Sequence, residues 1–241
     1  MEILSLIPAR SGSKGVLNKN LLLLDDYPLI AWSIKASLMT NAISRTIVST
    51  DSEEYASIAK DYGAEVPFLR PREFALDSSK DIEFMKHALD YLEAEDYSPD
   101  YIVHLRPTSP LRFPEIIENA IAEIVSHEDY TALRSVHEMS ESAYKTFEID
   151  NEGFLNSVFY LDRNIENSNN ARQSFPKTYF ANGYVDIINV KHLKTMHQLH
   201  GNKVLAFLTQ EVVELDSEHD LFLLEQMSKS SPLFKSRLFG E

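Results

Sequence analysis

Residues 7–21 read IPARSGSKGVLNKNL. They follow a short apolar run, EILSLIP (2–8), and precede another, LLLL (21–24). The first run has the composition of a buried strand, so this is a glycine-containing loop on the exit of a first strand. It holds two of the chain's seven glycines together with Arg10, Lys14 and Lys19, in a protein whose formal net charge is −14. In open α/β sheets ligands bind beyond the carboxyl ends of the strands. Gly12 and Gly15 let backbone N–H groups come close to an anion, and the three cations supply charge. The stretch lacks both the G-x-x-x-x-G-K-[ST] spacing and the G-x-G-x-x-G spacing. It reads as a cradle for a triphosphate; the plainer alternative is a turn with solvated lysines.

Working outward, strands alternate with helices. PLIAWSIKASLMTN (28–41) reads as a helix with Pro28 in its first turn and Ile30, Ile34 and Leu38 on one face. RTIVST (45–50) is a short β-branched run. DSEEYASIAKDYG (51–63) opens on capping residues and closes on Gly63. AEVPFL (64–69) has strand character. DIEFMKHALDYLEAE (81–95) sets Ile82, Met85, Leu89 and Leu92 at helical spacing. YIVHL (101–105) reads as a buried strand, and PEIIENAIAEIVSH (114–127) as a helix with Ile117, Ile121 and Ile124 inward. This rhythm predicts a mainly parallel α/β sheet. From about 137 to 182 it breaks. YKTFEIDNEGFL (144–155) has a hairpin pattern around Asp150–Gly153, and DRNIENSNNARQ (162–173) is polar and rich in asparagine. GYVDIINV (183–190), VLAFL (204–208) and SEHDLFLLEQM (217–227) then resume it. The chain is therefore divided into a main α/β domain, 1–136 plus 183–241, and an excursion, 137–182.

Composition narrows the function. Hydrophobic residues make up 44% of 241, ordinary for a globular chain able to build a sizeable core. The acidic balance argues against a nucleic-acid or anionic-membrane binder, since phosphate-rich partners need a basic surface. With no cysteine, disulfides and thiolate metal sites are excluded. MEILSL lacks the form of a signal peptide and no apolar run nears 18 residues, so a cytoplasmic protein is expected. His192, His197 and His200 lie in KHLKTMHQLHGN, which reads as a surface helix and turn rather than a metal site.

Six segments together resemble one family. IPARSGSKGVLNKNL, IVSTDSEE (47–54), FLRPREFALDSS (68–79), LRPTSPLR (105–112), ARQSFPKTYFANG (171–183) and VELDSEHD (213–220) match, in order and spacing, the motifs of the cytidylyltransferases that activate sialic acids and related nonulosonic acids. The resemblance runs from residue 3 to about 228. It implies a Rossmann-like three-layer nucleotidyltransferase fold with a small dimerisation excursion. It also implies a reaction in which the anomeric hydroxyl of a nine-carbon keto-acid sugar attacks the α-phosphorus of CTP, with Mg²⁺ present. The enzymes that activate Kdo match less well, because their first loop carries T-R-L-P in place of S-K-G. A catalytically silent nucleotide-binding protein is the remaining alternative.

By this resemblance Arg10, Ser13, Lys14 and Lys19 hold the phosphates, and Asn20, Arg70 and Ser79 lie at the base and ribose. The plainer role for Arg70 is an ion pair with Glu73 or Asp77. Arginines suit a sugar carboxylate through paired hydrogen bonds, and Arg106, Arg112 and Arg172 are candidates. Family members often carry glutamine where Arg106 stands. Gln173 and Asn182 match positions that bind the sugar or shape its pocket. Thr108 and Ser109 lie in PTSP, which also reads as a strand-ending turn. Glu214 and Asp216 are candidate Mg²⁺ ligands: two residues apart on an extended segment, they share a side. The family has Asp at both places, so Glu214 is the longer arm. The plainer role for Asp216 is to cap the helix beginning near Ser217. Arg10, Lys19 and Asp216 are the catalytic set. A homodimer is expected, with 137–182 crossing to the partner and covering Phe154, Phe159 and Tyr160.

Overall fold

The computed structural model describes residues 1–12, 15–127, 129–161 and 164–240. In chain order these form β1 (Ile3–Pro8), a ribbon of β2 (Leu23–Leu24) and β3 (Tyr27–Pro28), α1 (Leu29–Leu38), β4 (Arg45–Ser49), α2 (Glu53–Asp61), α3 (Asp81–Ala94), β5 (Tyr101–His104) and α4 (Pro114–Val125). There follow β6 (Ala132–Glu138), a hairpin of β7 (Phe147–Ile149) and β8 (Leu155–Ser157), β9 (Tyr179–Asn189), α5 (Val190–Met196), β10 (Val204–Leu208), α6 (Glu218–Ser230) and α7 (Leu233–Phe239).

The main sheet has the order β10-β6-β9-β5-β1-β4. β1 pairs in parallel with β4 and β5, and β10 pairs in parallel with β6. β9 runs antiparallel to both neighbours, because the chain re-enters the sheet from the end at which β6 leaves it. Helices cover both faces. On one, Ile3, Ile7, Val103 and Ile187 pack with Trp32 and Ile34 of α1 and Ile117, Ile121 and Ile124 of α4. On the other, Leu4, Leu6, Ile47, Ile102 and Ile188 meet Phe84, Met85, Leu89 and Leu92 of α3 and Leu193 of α5. This is the expected mainly parallel three-layer α/β fold, with one antiparallel strand the periodicity did not reveal.

Two local readings are corrected. AEVPFL is not a strand: only Glu65 pairs, in an isolated parallel bridge to Ile47, and Pro67 denies the ladder a donor. Leu38 does not share the buried face of Ile30 and Ile34; it lies exposed at the end of α1. Elsewhere the signals act as read. Ser52 caps α2 by accepting from the Tyr55 N–H, and Gly63 follows that helix at φ +99°.

Between Arg134 and Val136 the β6–β9 register shifts, so that β9 bulges over 182–185. Such bulges re-aim side chains near sites. The Ser135 hydroxyl accepts from the Val185 N–H and the Asn182 amide oxygen from the Tyr184 N–H, so two of the bulge's donors find side-chain partners. The excursion carries the β7–β8 hairpin and leaves Ile149, Phe154, Phe159 and Leu161 exposed; Tyr160 is half-buried against Phe159.

Candidate active-site cleft

Strand order dictates where a ligand can sit. The chain passes from β1 outward to β4, then returns to β5 on the other side of β1, so β1 and β5 flank the switch point. A cleft of about 250 Å³ lies there, lined by residues that include Pro8, Arg10, Lys19, Asn20, Arg70 and Arg106. Of the residues singled out in the sequence, Ser79, Thr108 and Glu214 line it too. Ser13 and Lys14 lie outside the described residues.

At the β1 end of the cleft the loop after the strand is held by Asp51. Its two oxygens accept from the N–H and the hydroxyl of Ser11, each at 2.7 Å. The Asn20 amide donates to the Arg10 carbonyl at 3.1 Å, pinning the loop's far side. Arg10 pairs with Asp77 at 2.7 Å and Lys19 with Asp216 at 3.1 Å. The second pair joins residues almost two hundred positions apart. Gly15 makes that approach possible: a Cβ there would lie 3.3 Å from the Asp216 carbonyl oxygen.

The VELD segment is clipped onto the turn after β5. The Leu215 N–H donates to the Thr108 carbonyl at 2.8 Å, and the Thr108 hydroxyl donates to Glu214 at 2.9 Å. Thr108 is thus both a turn residue and a cleft residue. Asp216 does not cap α6. Ser217 does, in a reciprocal capping box with Asp220, which frees the Asp216 carboxylate for Lys19. Among the described residues no three His, Asp or Glu side chains are grouped to hold a metal. Glu214 lines the cleft and Asp216 meets the cleft residue Lys19, so one segment supplies two hard oxygen donors, and Mg²⁺ needs only one or two carboxylates when phosphate oxygens and water complete its shell. The residues fit that ion. The three histidines do not converge; the His197 ring, for instance, meets Lys86 at 3.2 Å.

Arg70 is 5% exposed. It donates to the Ser49 hydroxyl at 3.0 Å and the Ser49 carbonyl at 2.6 Å, with its guanidinium 4.4 Å from the Phe84 ring centroid. Burial lowers its pKa to about 10. These partners replace the ion pair with Glu73 or Asp77. Ser79 donates to the Glu73 carbonyl and accepts from the Leu76 N–H, so it shapes the wall it lines.

The residues read as sugar contacts separate. Arg106 lines the cleft, yet it donates to Asp186 at 3.0 Å and to Asp81 at 2.9 Å. Burial works against its charge, but the two carboxylates outweigh this and its pKa is raised. Arg112 is fully buried, donating to the carbonyls of Tyr184, Gly183 and Arg106 and to the Ser33 hydroxyl. It ties the β9 bulge to the β5 turn and is structural. The Asn182 amide is equally occupied, donating to the Thr209 hydroxyl and the Gln210 carbonyl. Its neighbour Gly183, at φ +64°, packs behind two cleft residues: a Cβ there would lie 3.4 Å from the Ser109 hydroxyl and 3.7 Å from both Arg106 and Glu214. Arg172 and Gln173 line a second pocket with Glu138, Ser142 and Lys177 on the excursion. Asp51, Asp81 and Asp186 were missed in the sequence, and Asp77, read there only as a partner for Arg70, pairs with Arg10 instead. The signal at Asp186 was a lone charge inside the apolar run YVDII.

The family profile described as cytidylyltransferase matches residues 4–228, and the chain belongs to that family. It is 37% identical, over 89% of its length, to an N-acylneuraminate cytidylyltransferase of Escherichia coli, of which it spans 49%. It is 32% identical, over 94% of its length, to a CMP-N,N′-diacetyllegionaminic acid synthase of Legionella pneumophila, of which it spans 96%. A solved structure of CMP:2-keto-3-deoxy-manno-octonic acid synthetase complexed with CTP superposes with a TM-score of 0.71 at 14% identity, covering 95% of this chain and 99% of that one, a likeness of fold. No helix among the described residues is long and apolar enough to cross a membrane.

Proposed function

We propose that the protein joins CTP to a nonulosonic, sialic acid-like keto-acid sugar, giving the CMP-sugar and pyrophosphate. The anomeric hydroxyl of the sugar attacks the α-phosphorus and gives up its proton to solvent, the bond to the β-phosphate bridge oxygen breaks, and pyrophosphate leaves with that electron pair. The observation that carries this reading is the convergence of Arg10, Lys19 and Glu214 on the switch-point cleft, with Asp216 paired to Lys19. Cations and hard oxygen donors side by side are what a metal-bound triphosphate needs. Mg²⁺, held by Asp216 with Glu214 directly or through water, supplies charge neutralisation on the phosphates. Arg10 and Lys19 bind and orient the triphosphate and stabilise charge on the departing pyrophosphate. Arg70, Asn20 and Ser79 form the wall where cytosine and ribose fit. The relatives' names support a nonulosonate acceptor; for a Kdo-like sugar the support is shared fold alone.

The sugar's carboxylate falls to Arg172, with Gln173 beside it. These lie on the excursion, in a pocket of their own, so the reading includes a homodimer in which 137–182 of each subunit reaches the other's cleft. The exposed Phe154, Phe159 and Leu161 supply the apolar surface such a pairing covers. A cytoplasmic location, where CTP is made, fits the cysteine-free chain. Pyrophosphate release is the test, measured with CTP, ATP or GTP against a panel of keto-acid sugars at known Mg²⁺. Turnover with CTP and a nonulosonate is expected; equal turnover with ATP, or none with any keto acid, overturns the reading.

A further inference from the structure

The acceptor end of the cleft is built on a row of charges crossing the sheet. His104 of β5 lies opposite Asp186 of β9, and Asp186 lies opposite Arg134 of β6. Asp186 is 1% exposed. One of its oxygens accepts from Arg106 at 3.0 Å, and Arg134 approaches the other at 3.6 Å. Asp81, at the start of α3, holds the second terminal nitrogen of Arg106. The chain Asp81–Arg106–Asp186–Arg134 alternates in sign and sums to zero. An incoming carboxylate therefore meets Arg106 with two carboxylates already against it, and their repulsion offsets its attraction.

Arg106 still has donors to give. A guanidinium carries five N–H groups, and two are used on Asp81 and Asp186. Around Gly183, Arg106 is joined by Glu214 and by the Ser109 hydroxyl, which is fully buried and has no hydrogen-bond partner among the described residues. Glu214 adds a further negative charge beside Arg106, and the spare N–H groups of an arginine so compensated are donors for uncharged polar groups.

We infer that this end of the cleft reads the hydroxyl and acylamino substituents of the acceptor sugar through a charge-compensated Arg106, with Asp186 as its positioning residue, and does not bind the sugar's carboxylate. The inference rests on the cytidylyltransfer reading and assigns specificity within it. It separates two jobs: Arg106 selects substituents, and the carboxylate is recognised elsewhere.

The test compares kcat/KM for N-acetylneuraminate with that for its C1 carboxamide, and with that for the analogue bearing hydroxyl in place of the acylamino group. In Asp186→Asn the row gains a net positive charge while its shape is kept. The acid-to-amide ratio should rise by about threefold or more. In Arg106→Gln the row is left with one net negative charge, so that ratio should fall by no more than about threefold, while the preference for the acylamino group falls about fivefold or more. A fall in the acid-to-amide ratio in Asp186→Asn, or a fall of about tenfold or more in Arg106→Gln, makes Arg106 the carboxylate receptor and overturns the inference, as does an unchanged acylamino preference in Arg106→Gln. Should Arg106→Gln fail to fold, Asp186→Asn decides alone: a rise supports the inference, and a fall or no change overturns it. Absence of turnover by the wild-type chain with every keto acid sinks the cytidylyltransfer reading and this inference with it. Normal turnover with the wrong ratios sinks this inference alone.

Discussion

The two ends of the cleft use the same chemistry, arginine or lysine against aspartate, in opposite ways. At the phosphate end the partners are open to water: side-chain exposures are 31% and 37% for Arg10 and Asp77, and 24% and 73% for Lys19 and Asp216. Exposed pairs contribute about 0–1 kcal/mol each, so a triphosphate can displace them at little cost. At the acceptor end Asp186 is sealed at 1% exposure between Arg106 and Arg134. A buried pair is costly to break, because the remaining charge stays desolvated. One end is an exchangeable resting place for the cations that the proposed reaction sets to work on phosphate. The other is fixed framework whose charges are already balanced.

The largest expected effect falls on chemistry at the exchangeable end. Asp216→Asn should fold normally, since Ser217 and Asp220 cap α6 without it. It should lower Mg²⁺-dependent pyrophosphate release by about 10²-fold or more, roughly 2.7 kcal/mol in the barrier. Glu214→Gln should lose less. Steady-state kinetics over a Mg²⁺ titration, beside a thermal melt, checks both. Wild-type turnover with an earlier melt would mean that Asp216 serves the fold and that the two ends do not differ as described.

The fixed end should answer in stability. Arg112→Leu strands the carbonyls of Tyr184, Gly183 and Arg106, each bonded to the guanidinium. A loss of about 3 kcal/mol is expected in a urea melt, from the cost of unsatisfied buried groups. A loss under about 1 kcal/mol would show that the bulge holds itself.

How these regions were encoded explains why one was legible and the other was not. Hydrophobic period and capping residues located the sheet and helices because those signals are local. The phosphate end was legible for the same reason: Arg10, Gly12, Gly15, Lys19 and Asn20 fall within eleven residues, 10–20. At the acceptor end Asp81, His104, Arg134 and Asp186 stand singly in four elements. Cross-strand register and the placement of α3 bring them together, and no window of sequence contains either. Arg112 misled for a related reason. An arginine after a turn reads as a ligand until the carbonyls around it are known.

His104 sharpens the comparison through pH. It is fully buried and neither ring nitrogen has a hydrogen-bond partner among the described residues. Burial first, then Arg106, Arg112 and His200, hold its pKa well below 6.5, with Asp81 pulling the other way. The unfolded ring titrates near 6.5, so below that pH the unfolded chain takes the extra proton and stability falls. His104→Leu should flatten this limb in denaturant melts at pH 7.5 and 5.5 and cost nothing at neutral pH. His200 and His87, whose pKa values burial also lowers, supply the residual slope. An unchanged slope would mean that the buried row takes no part in acid sensitivity.

The smallest effect should come from Asp77, and its sign carries the information. In the structure Asp77 holds Arg10 where a triphosphate would take it. Asp77→Asn keeps the shape and removes the competing charge. The pair is exposed and contributes at most about 1 kcal/mol, so the KM for CTP should fall by no more than about fivefold. The melting temperature should move by no more than about 2–4 °C. Because the competition is between exposed charges, raising the salt toward 1 M should shrink the difference between variant and wild type. A rise in KM would mean that Asp77 aims Arg10 at the phosphates instead of parking it. The phosphate end would then be preset like the acceptor end, and the contrast between an exchangeable half and a fixed half would fail at its weakest pair.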